Sequence, residues 1–283
     1  MAIKLLVDSA SDISKEEAEK LNISMIPLII TFGQEDFYDG VDILPNQFFE
    51  KLIESTTLPK TSQINPFRFE EEFEKLTKNG DELIVITISS KLSGTYESAI
   101  RAKEKFKDNV FVIDSLNACI GERLLCQLAL ILINENKKSA KEIVDELNIM
   151  KTKIRVLALL DTLEYLRKGG RISSLVAFAG EMLSIKPVVA IIEGKVKLVG
   201  KARGSKNGKN LLNKLVNESG GIDFSLPYGT VYSGLDNSLL KKYVKDSSSL
   251  YQEHTNDIPS YQIGSTIGTH VGPGAIGVAF FEK

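Results

Sequence analysis

Residues 83–88 read Leu-Ile-Val-Ile-Thr-Ile, a continuous apolar and β-branched run. Such a run predicts a strand of a parallel sheet, buried on both faces. Behind it, Ser89-Ser90-Lys91-Leu92-Ser93-Gly94-Thr95-Tyr96 is small and polar. Residues 97–107 then take a helical composition with Ala99, Ile100 and Phe106 apolar. A polar stretch past the carboxyl end of a parallel strand and before a helix is where open α/β sheets bind ligands. Backbone N–H groups and the helix dipole favour an anion there, and hydroxyls add donors. Serine and threonine are also ordinary helix caps, so the octapeptide by itself does not decide between a site and a capped helix start.

The same alternation runs through the first half of the chain. Residues 3–7 predict a strand ending in Asp8-Ser9-Ala10-Ser11-Asp12, and Ser14 caps a helix with Glu17 at the capping-box position. Residues 23–30 predict one strand, bulged or at an edge because Pro27 cannot donate to a ladder. Residues 37–40 predict a turn, Pro45 a helix start, and residues 59–63 a polar loop leading into a helix over 67–77. After the central strand come a strand over 110–113, a helix over 118–133 carrying Cys119 and Cys126, and a helix from Ser139 to about residue 150. This order predicts a parallel sheet with helices on both faces.

We place a boundary near residues 152–160, giving an N-terminal parallel-sheet α/β domain over 1–155 and a C-terminal α/β domain with a mixed sheet over 156–283. The second begins with a strand over 156–160. A helix over 163–168 stops at Gly169-Gly170. An apolar helix then runs from residue 171 to about 182. Strands over 185–192 and 195–199 join at Glu193-Gly194 as a hairpin. A helix over 206–217, a strand over 228–232, a lysine-rich helix over 237–250 and a strand over 258–263 follow. A glycine-rich loop over 267–274 contains His270, and the last strand spans 275–281.

Hydrophobic residues make up 43% of the 283 positions, enough for a full core. The net charge of −2 argues against a nucleic-acid binder acting by bulk charge. No apolar run approaches a membrane span, and the start lacks the pattern of a signal peptide, so a cytoplasmic location is expected. With two cysteines and two histidines, no zinc cluster is expected. The cysteines read as packing residues on one helix face.

Four polar loops carry the candidate chemistry: 8–12, 61–63, 89–95 and 268–274. The first three share the upper edge of the predicted sheet. Ser93, His270 and Asp8 offer the residue types of a hydrolytic triad, but Ser93 is not in a G-x-S-x-G elbow. No dinucleotide or P-loop fingerprint is present, and Gly204-Ser205-Lys206-Asn207-Gly208-Lys209 has the wrong spacing for one. The residues alone reach an anion held by hydroxyls and one histidine. A hydrolase and a binding module for a small anionic metabolite both stay open.

Several segments in order resemble one family. They are Asp8-Ser9-Ala10-Ser11-Asp12, Thr61-Ser62-Gln63, the octapeptide 89–96, Leu163-Glu164-Tyr165-Leu166-Arg167-Lys168-Gly169-Gly170-Arg171-Ile172-Ser173, Ile185-Lys186-Pro187, and Gly268-Thr269-His270-Val271-Gly272-Pro273-Gly274. Over essentially its full length the chain resembles the DegV family of bacterial fatty-acid-binding proteins. The resemblance implies a long-chain fatty acid in an apolar tunnel, no other cofactor, and no catalytic group of the chain's own. It also implies a role as the acyl-carrying subunit of a fatty-acid kinase, whose separate ATP-binding subunit makes an acyl phosphate for phospholipid synthesis. Carried over by motif, Thr61, Ser93 and His270 would hold the carboxylate, with Ser62 and Gly94 close by. Arg203 lies in a segment resembling the family's contact region with the kinase, and Arg171 joins it as a second candidate for docking. Ala10, Ile64 and Val271 depart from the usual Thr, Pro and Thr of these motifs. The apolar stretch 173–183 would serve as a tunnel wall.

Overall fold

The N-terminal half alternates strands and helices as the hydrophobic pattern predicts. In chain order it comprises β1 (Ile3–Asp8), α1 (Lys15–Leu21), β2 (Ser24–Ile26), β3 (Ile29–Phe32), β4 (Glu35–Tyr38), α2 (Pro45–Glu54), β5 (Lys60–Ser62), α3 (Pro66–Thr77), β6 (Glu82–Thr87), α4 (Thr95–Lys103), β7 (Val110–Asp114), α5 (Ile120–Glu135) and α6 (Ala140–Met150). The C-terminal half adds β8 (Ile154–Leu159), α7 (Glu164–Lys168), β9 (Ile185–Ile192), β10 (Lys195–Arg203), α8 (Gly204–Glu218), β11 (Tyr228–Tyr232), α9 (Ser238–Asp246), α10 (Ser248–Tyr251), β12 (Ser260–Gln262), α11 (Ser265–Val271) and β13 (Ile276–Phe281). This computed structural model describes residues 2–106, 108–172 and 185–283, so the stretch 173–183 lies outside the described residues.

The fold is a two-domain α/β one, with a parallel N-terminal sheet and a mixed C-terminal sheet. In the first sheet the order is β2-β1-β6-β7, all parallel. Leu83, Ile84, Val85 and Ile86 are fully buried at its centre, as their unbroken apolar run requires. Helix α3 packs on α4 and α5 on α6, each pair against the sheet. The second sheet has the order β10-β9-β8-β13-β11-β12, antiparallel except for the β11–β12 pair.

Four local expectations need correction. The predicted strand 23–30 is two strands in two sheets. Pro27 has no N–H to donate, and the chain leaves the parallel sheet there. Ser9 Oγ accepts from the Leu28 N–H at 3.1 Å, and Arg68 donates to the Pro27 carbonyl at 2.9 Å. The chain then enters an antiparallel sheet of order β4-β3-β5. The predicted turn 37–40 and loop 59–63 are largely strands of that sheet, and its hairpin turn is at Gly33, with φ 63°. The predicted loop 267–274 is helical up to Val271. Its glycines serve packing and termination. A Cβ on Gly268 would come within 2.7 Å of the Phe48 ring on α2, and Gly272 ends the helix at φ 72°.

Helix α5 joins the halves. It is apolar nearly all round because both sheets bury it. It packs on β1 and β6 on one side and on β8, β11 and β13 on the other. One core runs from Leu5 and Ile86 through Leu124 and Leu128 to Val156, Val231, Ala279 and Phe281. Arg123, 2% exposed, ties this helix to its surroundings. Its guanidinium donates to Glu17 Oε1 at 2.5 Å and to the Asp12 carbonyl, and lies 3.9 Å from the centre of the Tyr261 ring. Cys119 is the residue before α5 rather than part of its face, with φ 56° and ψ −138°; both cysteines are buried and free.

Four carboxyl groups are buried at this junction: Asp8, Asp12, Asp39 and Glu122. Desolvation raises all four. Asp8 still accepts from the Ile88 N–H at 2.8 Å and the Ala10 N–H at 2.9 Å. Burial first, and the neighbouring Asp8 and Asp12 after it, push the Glu122 carboxyl well above its usual range. Asp12 rises from 3.8 to about 7, by burial first and by its neighbour Asp39 after that. The folded chain thus holds a proton that the unfolded chain releases near 3.8, and stability falls as pH rises through that window to about 7. Asparagine mimics the protonated form. Asp12→Asn is expected to raise the urea midpoint above the parent's by a little at pH 5 and by clearly more at pH 8. An equal shift at both pH values would contradict the burial of a titrating carboxyl at Asp12.

Candidate functional site

Period-two alternation divides the C-terminal sheet into two faces. Leu157, Leu159, Val278 and Phe280 join a core with Leu212 and Tyr243, from α8 and α9. Val156, Ala158, Val189, Ile191 and Gly277 face the other way, toward the N-terminal half. Between that face and the carboxyl end of the parallel sheet lies a cavity of about 400 Å³. Ile88, Leu92, Ala118, Ile120, Ile263 and Ile267 complete its apolar walls.

Its polar residues come from separate segments, including β5, α11 and the loop before α4. Thr61, Ser62, Gln63, Ser93, Gly94, Arg171, Thr266 and His270 all line this cavity. Five positions expected from the sequence are thus brought together: Thr61, Ser62, Ser93, Gly94 and His270. Thr61 and His270, 209 positions apart, are in direct contact, with Oγ1 2.9 Å from Nε2. Ser62 follows Thr61 on a strand, so its side chain takes the opposite face and is exposed. Ser93 Oγ lies 2.9 Å from Thr95 Oγ1 and accepts from the Thr95 N–H at 3.3 Å, while Gly94 is the residue before α4. The positive end of that helix therefore meets the polar end of the cavity.

The octapeptide combines both of the meanings its sequence allows. Ser89 is structural: its hydroxyl donates to the Gly194 carbonyl at 2.8 Å and holds the β9–β10 hairpin against the loop. The Ser90 N–H donates to Asp114 at 3.1 Å. Ser93 and Gly94 alone of this loop's small polar residues reach the cavity.

His270 is partly buried, and desolvation first, then the nearby Arg171 charge, lowers its pKa from 6.5 to about 4. The ring is neutral near pH 7 and meets an anion as imidazole rather than imidazolium. Nδ1 is buried without a partner among the described residues and faces Gly169, where any Cβ would collide with it. Placing the proton on Nε2 gives it an acceptor in Thr61 Oγ1 and turns the Thr61 hydroxyl hydrogen toward the cavity. Arg171 donates from Nε to the Leu92 carbonyl at 3.2 Å and from Nη1 to the Gly169 carbonyl at 2.6 Å. It is part of the polar end, which its assignment as a docking residue had not anticipated.

A triad of Ser93, His270 and Asp8 does not form. Asp8 is engaged by Ile88 and Ala10, Ser93 by Thr95, and His270 by Thr61. Residues 8–11 are buried, and the loop 8–12 supports the site from outside the cavity lining. Arg203 is exposed at the end of β10 and is not among the lining residues. Sequence reasoning gave no role to Gln63, which closes on Gly94 and donates to Ser98 Oγ at 3.0 Å, or to Asp39. The only sequence signal for Asp39 was an acid before Gly40 in a supposed turn.

Known proteins supply the remaining observation. The family described as "Uncharacterised protein, DegV family" matches residues 2–283. A DegV domain-containing protein of Caldanaerobacter subterraneus subsp. tengcongensis is 35% identical over 283 residues, covering 99% of both chains. A structure described as fatty-acid binding by a DegV family protein of Thermus thermophilus superposes with a TM-score of 0.87 at 28% identity, covering 100% of both chains. A stearic-acid-binding protein of Eubacterium ventriosum superposes with a TM-score of 0.84 at 27% identity, covering 100% of this chain and 99% of that one. Matched from end to end in sequence and in fold, this chain belongs to the DegV family.

Proposed function

We propose that this protein binds one long-chain fatty acid, tail in the apolar cavity and carboxylate among Thr61, Ser93, Gly94 and His270, with Ser62 at the rim. One observation carries the reading: an apolar cavity of about 400 Å³ ends in a cluster of hydrogen-bond donors. An acyl tail gains about 0.8 kcal/mol for each methylene taken from water. A carboxylate taken from water has the opposite requirement and must be met by donors. The Thr61 and Ser93 hydroxyls, the amides at the start of α4 and the Arg171 guanidinium answer it. A small anionic metabolite would need the polar end alone and would leave the apolar walls unused. The fatty-acid-binding descriptions of the Thermus thermophilus and Eubacterium ventriosum structures support the same ligand class.

The finer reading is that the chain presents the carboxylate to a separate ATP-binding kinase subunit, which forms an acyl phosphate for phospholipid synthesis. The setting is cytoplasmic, and among the described residues no helix is long and apolar enough to cross a membrane. In this reading the domains divide at residues 155 and 156, and the head group lies where they meet. Arg203, exposed beyond the head-group cluster, is the docking contact. Arg171, inside the cluster, offers its charge to the head group itself.

Thr61→Ala and Ser93→Ala are each expected to weaken fatty-acid binding about tenfold, since a hydrogen bond to a charged group is worth about 1.5–3 kcal/mol, and His270→Ala by a similar factor, because Thr61 then loses the donor that turns its hydroxyl toward the carboxylate. Titration with a fluorescent long-chain fatty acid checks this, and parental affinity in all three variants would place the head group elsewhere. Arg203→Ala is expected to retain fatty acid and slow its phosphorylation by the kinase subunit, most of all at low salt. Both are measured on one preparation. Loss of the fatty acid, or an unchanged rate at low salt, would remove Arg203 from docking.

A further inference from the structure

Helix α11 carries His270, and its seven residues are too few to hold a helix in water unaided. Its support comes from the other half of the chain. Asp39 Oδ1 accepts from the Ser265 N–H at 3.1 Å, and Oδ2 accepts from the Thr266 N–H at 3.2 Å. Ser9 Oγ donates to the same Oδ2 at 3.0 Å, and Asp12 Oδ1 accepts from the Gly264 N–H at 2.9 Å. Three consecutive amides at the start of α11 are thereby taken by two carboxyl groups of the N-terminal half. Asp39 is 2% exposed, so these bonds have no competition from water.

The placement of Asp39 gives the contact its consequence. Asp39 directly follows β4, which lies in the same three-stranded sheet as β5, and β5 carries Thr61. One small sheet therefore holds Thr61 at one edge and, at the other, the residue that fixes the helix bearing His270. We infer that Asp39 is a positioning residue for the head-group site: by holding α11 to this sheet it sets the Thr61–His270 separation with which a carboxylate is received. The inference rests on the fatty-acid reading for its ligand, but not for its geometry.

Asparagine has nearly the shape of aspartate but offers one acceptor oxygen, and its amide would face a backbone N–H. Stearic-acid affinity is measured on the full chain for Asp39→Asn, His270→Ala and the double variant. Asp39→Asn alone is expected to weaken binding about tenfold. In the His270→Ala background the same change is expected to cost less than twofold, because the two act on one contact. Equal factors in both backgrounds would overturn the role. Nitrogen NMR of His270 in ligand-free protein provides the independent reading. The parent should show the proton on Nε2, and Asp39→Asn should lose that bias. An unchanged His270 spectrum in Asp39→Asn would also refute the inference. Ser9→Ala removes the hydroxyl that donates to Asp39, and with it the acceptor of the Leu28 N–H, and gives a second form of both tests should Asp39→Asn fail to fold. If His270→Ala binds stearic acid like the parent, His270 leaves the head-group cluster, while the spectrum still judges Asp39.

Discussion

Burial of α5 between two sheets is the constraint from which the rest follows. Without it the C-terminal sheet would expose the face bearing Val156 and Val231, and the parallel sheet would lose cover near β1 and β6. With it, the sheets are held apart at the amino end of the helix, where Ala118, Cys119 and Ile120 line the cavity. The cavity is a consequence of this spacing. The helix fills the gap along its length and ends where the strands of the parallel sheet end, so the remaining volume lies at the edge that parallel sheets use for ligands.

Chemistry at that edge is divided by distance along the cavity. The walls come from strands of the C-terminal sheet and from branched aliphatic side chains. The polar end comes from loops and short elements belonging to both halves, joined by the Thr61–His270 bond. Neutral His270 and the Arg171 cation stand side by side there, and the Arg171 charge helps keep the imidazole neutral. A buried carboxylate in this position would have a permanent cation, fixed hydroxyls and a helix amino end as partners, an arrangement organised before the ligand arrives.

Much of this was legible in the chain. The run 83–88 is a buried parallel strand because nothing but a two-sided core tolerates six such residues. Pro45 and Ser139 mark helix starts because each satisfies the geometry of a first turn. The grouping of Thr61, Ser93 and His270 was readable only through the family's motifs, since no local rule places residues 209 positions apart in contact. The rest was hidden for physical reasons. Pro27 announces a broken ladder but not the change of sheet that follows. The glycines around His270 look like a loop, yet Gly268 is required by the Phe48 ring and Gly272 by the helix end. Asp39 reads as a turn residue, because a carboxylate capping a helix more than two hundred residues away leaves no periodic trace.

Native mass spectrometry of the protein purified from bacterial cells tests the central claim most directly. The account predicts a population heavier than the bare chain by the mass of one long-chain fatty acid, lost on denaturation and diminished in His270→Ala. A chain that carries no such mass, and takes up none when offered stearic acid, would contradict it.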